Sequence, residues 1–139
     1  LKRLGLAARI AACLPIELSL PAAGQGAMAI EVRAKDEADP LLRMLAALNH
    51  PATALAVTAE RTVSRIFGGS CQIPLAAHAS IEGETMRLRA MVATPDGKHM
   101  ASADVSGPAQ QPMQLGEQVA AALAAQNAHA ILALCRQDA

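Results

Sequence analysis

The sequence has no tryptophan and no tyrosine, and its single phenylalanine is Phe67. A core therefore has to be assembled from Leu, Ile, Val, Met and Ala, with alanine dominating the 53% hydrophobic content. Such small or flexible side chains lack the large contact areas of aromatic rings, so modest stability is expected. An excess of charge of either sign is also missing, since 12 Lys and Arg balance 12 Asp and Glu. That balance argues against a protein held on a phosphate backbone by bulk electrostatics. Cysteine is sparse: Cys13, Cys71 and Cys135 are odd in number, far apart, and form no CxxC pair. This usage fits a reducing compartment better than a disulfide framework. No apolar run is long enough to span a bilayer. Lys2 and Arg3 are not followed by the apolar stretch and cleavage site of a secretory signal. At 139 residues the chain can bury a core without staples, and, starting at Leu1, it reads as part of something longer.

Residues 1–14 read as a helical remnant with Leu4, Ala8 and Ala11 near one face, until Pro15 and Pro21 break the pattern. Behind a Gly-rich turn at 24–26, residues 28–32 (MAIEV) are a strand candidate. The charged stretch 33–40 reads as a linker or domain edge. Asp39 before Pro40 is a good helix start, and Leu41, Leu42, Leu45 and Leu48 follow at helical spacing. Pro51 opens a second helix with the stripe Leu55, Ala59, Val63, Ile66 and Phe67, which Gly68 and Gly69 end. Three strands are predicted next, at 75–81, 86–93 and 99–105. The second alternates Met86, Leu88, Ala90 and Val92 against Arg87 and Arg89. Gly83 and Pro95-Asp96-Gly97 supply the turns between them. A final helical stretch follows Pro112, with Leu115, Val119, Ala122 and Leu123 on one face and more apolar content at Ile131, Leu132 and Leu134. The order α-α-β-β-β-α predicts an α+β fold, a two-layer domain with a three-stranded antiparallel sheet flanked by helices, over residues 34–139. Residues 1–33 read as a leftover piece ahead of it. With its 28–32 strand unpaired, that remnant is expected to be rearranged, disordered or packed on another copy.

Chemistry concentrates in residues 60–76, ERTVSRIFGGSCQIPLA. A helix ends, glycines turn the chain, and Cys71 sits ahead of a strand. Glycine admits backbone angles that other residues resist, so this connection can lift a thiol clear of the packed layers. There, once ionised, the thiol is a nucleophile. Against this, free cysteine is among the most buried residue types and usually packs inertly. On spacing alone that is the commoner outcome for Cys71, and Cys13 and Cys135 suit it better still. No His or Asp stands at a local spacing that would make a cysteine protease. His50, His78, His99 and His129 lack zinc-ligand spacing, so no metal site is expected. Gly24-x-Gly26-x-x-Ala29 superficially matches a dinucleotide fingerprint, but it precedes a strand where that motif must follow one and open a helix.

Three blocks, in order, carry a resemblance. Glu60-Arg61, Val63, Phe67 and Gly69-Ser70-Cys71-Gln72-Ile73-Pro74-Leu75-Ala76 resemble the cofactor-attachment motif of the hydroxymethylbilane synthases (porphobilinogen deaminases). Ser70 stands where that family usually has a second glycine. Leu20-Pro21-Ala22-Ala23-Gly24-Gln25-Gly26-Ala27, running into Ala29-Ile30-Glu31, is similar to the end of the family's second domain, which implies that residues 1–33 are the C-terminal remnant of that α/β domain. Leu45-Ala46-Ala47-Leu48-Asn49-His50, with Thr53 and Thr58-Ala59-Glu60-Arg61, also fits.

The resemblance implies a cytoplasmic transferase of tetrapyrrole and heme biosynthesis. It would join four porphobilinogen units into the linear tetrapyrrole hydroxymethylbilane, with loss of ammonia. It implies a dipyrromethane cofactor held by a thioether at Cys71 as the primer. It also implies a cleft reached by Gln25, Gly26 and Ala27, where backbone N–H groups and the Gln amide can donate to a carboxylate. A plain tight turn is an equally good reading of those three residues. The family's catalytic aspartate and substrate-binding arginines belong to segments not found here, so no catalytic residue is expected in this chain. Arg61, Arg65, Arg87 and Arg89 read as solvated charges. By itself the chain is expected to be inactive and to lack the attached cofactor. Its parent is expected to be a monomer, while an unpaired strand edge gives this piece the means to self-associate. Double-stranded-RNA-binding domains share the α-β-β-β-α order. They need a basic end to the last helix, and residues 113–127 hold no Lys or Arg. No nucleic-acid or membrane partner is expected.

Overall fold

The computed structural model describes residues 1–33, 40–69 and 73–137. Strands β1 (Leu75–Glu82), β2 (Thr85–Ala93) and β3 (Met100–Pro108) form one antiparallel sheet in the order β1-β2-β3. The first hairpin is tight because Gly83, at φ +60°, turns the chain between the paired residues Glu82 and Thr85. Alternation along β2 puts Met86, Leu88, Ala90 and Val92 on one face, all of them buried. The register aligns them with Ile81, Ala79, Ala77 and Leu75 of β1, and with Gly107, Val105, Ala103 and Ala101 of β3.

Helices α2 (Pro51–Ile66), α3 (Pro112–Ala125) and α4 (Ala128–Gln137) pack on the sheet, while α1 (Pro40–Ala46) buries nothing. The aromatic-poor core works by close approach. Alanines at 59, 77, 79, 90, 101 and 120 let the layers near one another, and Val63, Met86, Leu88, Val119 and Leu123 fill the space left. α2 and α3 touch backbone to side chain at Gly116, where an added Cβ would lie 2.6 Å from Thr62 Cβ and 2.8 Å from the Ala59 carbonyl oxygen. The single aromatic ring, on Phe67, is buried and lies 4.8 Å from the His129 ring, centroid to centroid.

The ends of α2 follow the sequence signals. Pro51 opens it, and the His50 ring nitrogen accepts the Thr53 N–H at 3.3 Å. At the other end the Gly69 N–H reaches back to the Ser64 carbonyl at 2.8 Å, and the Gly68 N–H to that of Arg65 at 3.1 Å. Both glycines have positive φ, as this six-to-one closure requires. The chain is thus turned off the helix just before Ser70. Asp39, expected to cap α1, lies outside the described residues, as does most of the expected linker.

Four expectations need correction. The last helical stretch is two helices, because Asn127 takes φ +63° and α4 leaves α3 at a bend of 74°. A short polar side chain tolerates that left-handed step. The third strand runs on from Met100 to Pro108. Residues 1–14 form no α-helix, only 3-10 turns at Lys2–Leu4 and Ala7–Arg9 that bury nothing. Residues 28–32 are not a strand: they are exposed and join no ladder, since without a neighbour their N–H and C=O groups do better in water.

Part of the segment 1–33 folds back onto the sheet domain. Pro21 offers its carbonyl to the Ala77 N–H at 3.0 Å, on the outward edge of β1. An open strand edge is thereby partly covered. Among the described residues no single helix is long and apolar enough to cross a membrane.

Candidate functional site

Residues 22–27 make two successive turns, with Gln25 N–H to the Ala22 carbonyl at 3.0 Å and Ala27 N–H to the Gly24 carbonyl at 3.1 Å. Gly24 and Gly26 supply the positive φ values, +74° and +81°, that this path demands. One side chain of α2 fastens the turn to the sheet. Glu60 accepts the Gly24 N–H on Oε2 at 2.7 Å and the Ala79 N–H of β1 on Oε1 at 2.8 Å. At 6% exposure it is the one buried polar or charged residue among those described. His78 Nδ1 stands 3.6 Å from Glu60 Oε1.

Between the turn and α2 lies a cavity of about 430 Å³. Gly24, Ala27 and Ala29 form one wall, Val57, Arg61 and Ser64 of α2 another, and Gly69, Ile73 and Leu75 its end. Cys71 lies outside the described residues, but Gly69 and Ile73, on either side of it in sequence, both line this space. The structure thus brings the expected turn, the end of α2 and the flanks of Cys71 around one opening. Ala27 lines the cavity; Gln25 and Gly26 are exposed and do not. Gly26 and Ala27 help line a second cavity of about 400 Å³, with Leu48, His50 and Thr53.

Among the described residues, Arg61 is the only ionisable group on the first cavity's wall. It was expected to be a plain solvated charge; it is exposed, but onto this opening. Small apolar walls with one guanidinium and one hydroxyl suit a largely apolar ligand bearing acidic substituents.

The other basic residues divide. Arg65 is exposed, and Arg87 pairs on the surface with Asp104, Nε to Oδ1 at 2.9 Å. That pair raises the Arg87 pKa and holds the Asp104 carboxyl below its usual range. Arg89 departs from the expected solvated charge. Its side chain is 17% exposed and bonds Glu17 at 3.1 Å, with Nε buried and unpartnered. Residues 16–18 and Leu20 line a cavity with it on the sheet face opposite the core. Glu17's carboxyl is held below its usual range, first by its own backbone N–H and then by Arg89. Cys135 is half-buried, its Sγ donating to the Ile131 carbonyl at 3.3 Å, whereas Cys13, expected to pack, is exposed because no helix forms around it.

The residue that sequence reasoning missed is Glu60. Its signal was positional: Ala56, Glu60, Val63 and Phe67 fall on one helical face, and a carboxylate inside an apolar stripe needs partners.

Comparison with known proteins adds a family. Residues 1–39 match the model described as porphobilinogen deaminase, dipyromethane cofactor binding domain, and residues 54–125 match porphobilinogen deaminase, C-terminal domain. The porphobilinogen deaminase of Bordetella parapertussis is 54% identical over 133 residues, covering 96% of this chain and 42% of the relative. Those of Methylobacillus flagellatus and Ralstonia nicotianae are each 50% identical, over 133 and 143 residues. The chain spans about two-fifths of the length of these relatives, 42% in each case.

Proposed function

Because the chain belongs to the porphobilinogen deaminase family, we propose that it is the cysteine-bearing part of a cytoplasmic hydroxymethylbilane synthase. The whole enzyme joins four porphobilinogen units into hydroxymethylbilane and releases ammonia. The observation that carries this reading is the order of the matches: two models of one family, at residues 1–39 and 54–125, with about half of all residues identical to named relatives. Within it, residues 1–33 end a preceding domain and residues 34–139 form the domain that holds the cofactor.

The residues present fit a dipyrromethane. The cavity is walled largely by small residues that leave room for pyrrole rings, and among the described residues Arg61 and Ser64 are the lining side chains able to meet carboxylates. When bound, the dipyrromethane supplies the terminal pyrrole carbon to which units are added. Cys71 would hold it by a thioether: the thiolate would add to the exocyclic methylene carbon of an azafulvene, opening its C=C π bond, and the ring nitrogen would take up the proton that the thiol lost. Neither acid nor base is asked of it. Fixing one end of the chain raises the effective concentration of the other end for the next unit. In the turn the Gln25 and Ala27 N–H groups already serve the Ala22 and Gly24 carbonyls, so the Gly26 N–H and the Gln25 side-chain amide are the donors it would offer a carboxylate.

Intact mass of the whole enzyme, with and without Cys71→Ser, tests the anchor. The mass added by a dipyrromethane is expected in the parent and absent from the variant. A thioether adduct that survives in the variant would move the anchor to Cys13 or Cys135. The 139 residues alone are expected to release no ammonia from porphobilinogen, and measurable turnover by them would overturn the division of labour proposed here.

A further inference from the structure

We propose that Glu60 is a positioning residue of this site, its buried carboxylate holding the turn at residues 24–27 in place against β1, where Gly24 and Ala27 line the cavity. The inference rests on the cofactor reading for what the turn serves, but its geometry does not. Burying a carboxylate is unfavourable unless hydrogen bonds to it are strong. Glu60 has two, and they come from distant elements: the Gly24 N–H, 36 residues away, and the Ala79 N–H, 19 residues away.

Each oxygen takes one donor, so the side chain is a two-point brace. No Lys or Arg among the described residues pairs with it; His78 Nδ1, 3.6 Å away, is the one basic group beside it. A purely structural helix position in this apolar stripe would be served by Leu or Ala. The brace also acts where little else does. Among the described residues, the hydrogen bonds that fasten residues 20–27 to the rest of the fold are this one and the Pro21 carbonyl on Ala77.

Glutamine in place of Glu60 discriminates sharply, because its side chain is nearly isosteric but presents one acceptor and one NH₂. Only one of the two backbone N–H groups can then be satisfied, and the other faces a donor. Aspartate keeps the charge but is one methylene short of reaching both.

The test is amide hydrogen exchange by NMR on the 139-residue chain, comparing wild type with Glu60→Gln and Glu60→Asp. In wild type the Gly24 amide is expected to exchange at least about tenfold more slowly than that of Gly26, as a charge-assisted bond should make it. Fast exchange at Gly24 in wild type overturns the proposal without any variant. In the variants, protection at Gly24 or Ala79 is expected to fall about tenfold while the amides of β2 keep theirs. Equal losses at Gly24 and throughout β2 would reduce Glu60 to a general stabiliser, and unchanged protection at both sites would remove the brace. Either result sinks the inference and leaves the Cys71 reading standing. A Cys71 that never carries the primer sinks that reading and leaves the brace intact.

Discussion

Residues 28–32 and strand β2 carry the same pattern and meet opposite fates. Met28, Ile30 and Val32 alternate with Ala29 and Glu31, as Met86, Leu88, Ala90 and Val92 alternate with Arg87, Arg89 and Met91. Yet Met28 is 96% exposed and Met86 is fully buried. The difference lies in the neighbours. β2 has tight turns at both ends, which deliver β1 and β3 to its two edges. Residues 28–32 have a glycine turn before them and no strand to pair with among the described residues. Alternation proposes a face; pairing decides whether that face is buried. Residues 1–33 and the sheet domain are built from the same aliphatic side chains, and partners separate them, not hydrophobicity.

The largest effect expected of a single substitution comes from the packed side. Gly116→Val puts a branched side chain where even one carbon would lie 2.8 Å from the Ala59 carbonyl oxygen, which cannot move without bending α2. Overpacking of this kind costs about 3 kcal/mol. Met28→Ala, on the unpaired side, should change stability by less than about 0.5 kcal/mol. Urea denaturation of both variants checks the contrast, and comparable losses would erase the distinction between the regions.

The sheet was legible because three signals agreed on it: period-two alternation in β2, turn residues at 83 and 95–97, and strands of matching length. The start and stop of α2 were legible for the same reason, from Pro51 and the paired glycines. Asn127 was not, since an asparagine inside an alanine-rich stretch marks a helix break only when its backbone is seen. The cavity was half legible. Local sequence pointed to the turn at residues 24–27 and to the end of α2, but the bond from the Gly24 N–H to Glu60 joins residues 36 apart, and no local pattern records that distance. Arg89 was misjudged because a strand's outer face is solvated only until something crosses it, here residues around Glu17.

Truncation separates the passive part of the N-terminal region from the working part. Removing residues 1–14 takes away two 3-10 turns that bury nothing, so stability should hold within about 0.5 kcal/mol. Removing residues 1–24 also strips the Pro21 carbonyl from Ala77 and the Gly24 N–H from Glu60. A buried carboxylate short of one donor and a strand edge short of an acceptor should cost about 2 kcal/mol together. Denaturant midpoints for the two truncations test this. If they coincide, residues 15–24 are no more part of the domain than residues 1–14.

The smallest effect is a titration at the far end of the sheet, where a turn is held by side chains and not by glycine alone. Asp96 accepts from the Thr94 hydroxyl at 2.6 Å and from the Lys98 N–H at 3.1 Å, in that order of influence, and its pKa is lowered to about 2. An unfolded aspartate titrates near about 3.9. The folded value is the lower one, so the stabilisation from this carboxylate is fully present above about pH 4 and is lost as pH falls through about 2. Carboxyl ¹³C shifts followed from pH 5 downward should place the Asp96 midpoint near about 2, with the Lys98 amide losing protection over the same window. A midpoint at the ordinary aspartate value would mean that Gly97, at φ +70°, makes this turn unaided. The β2–β3 connection would then be set by a glycine, as the turn at Gly24 and Gly26 is, and its side-chain bonds would be incidental.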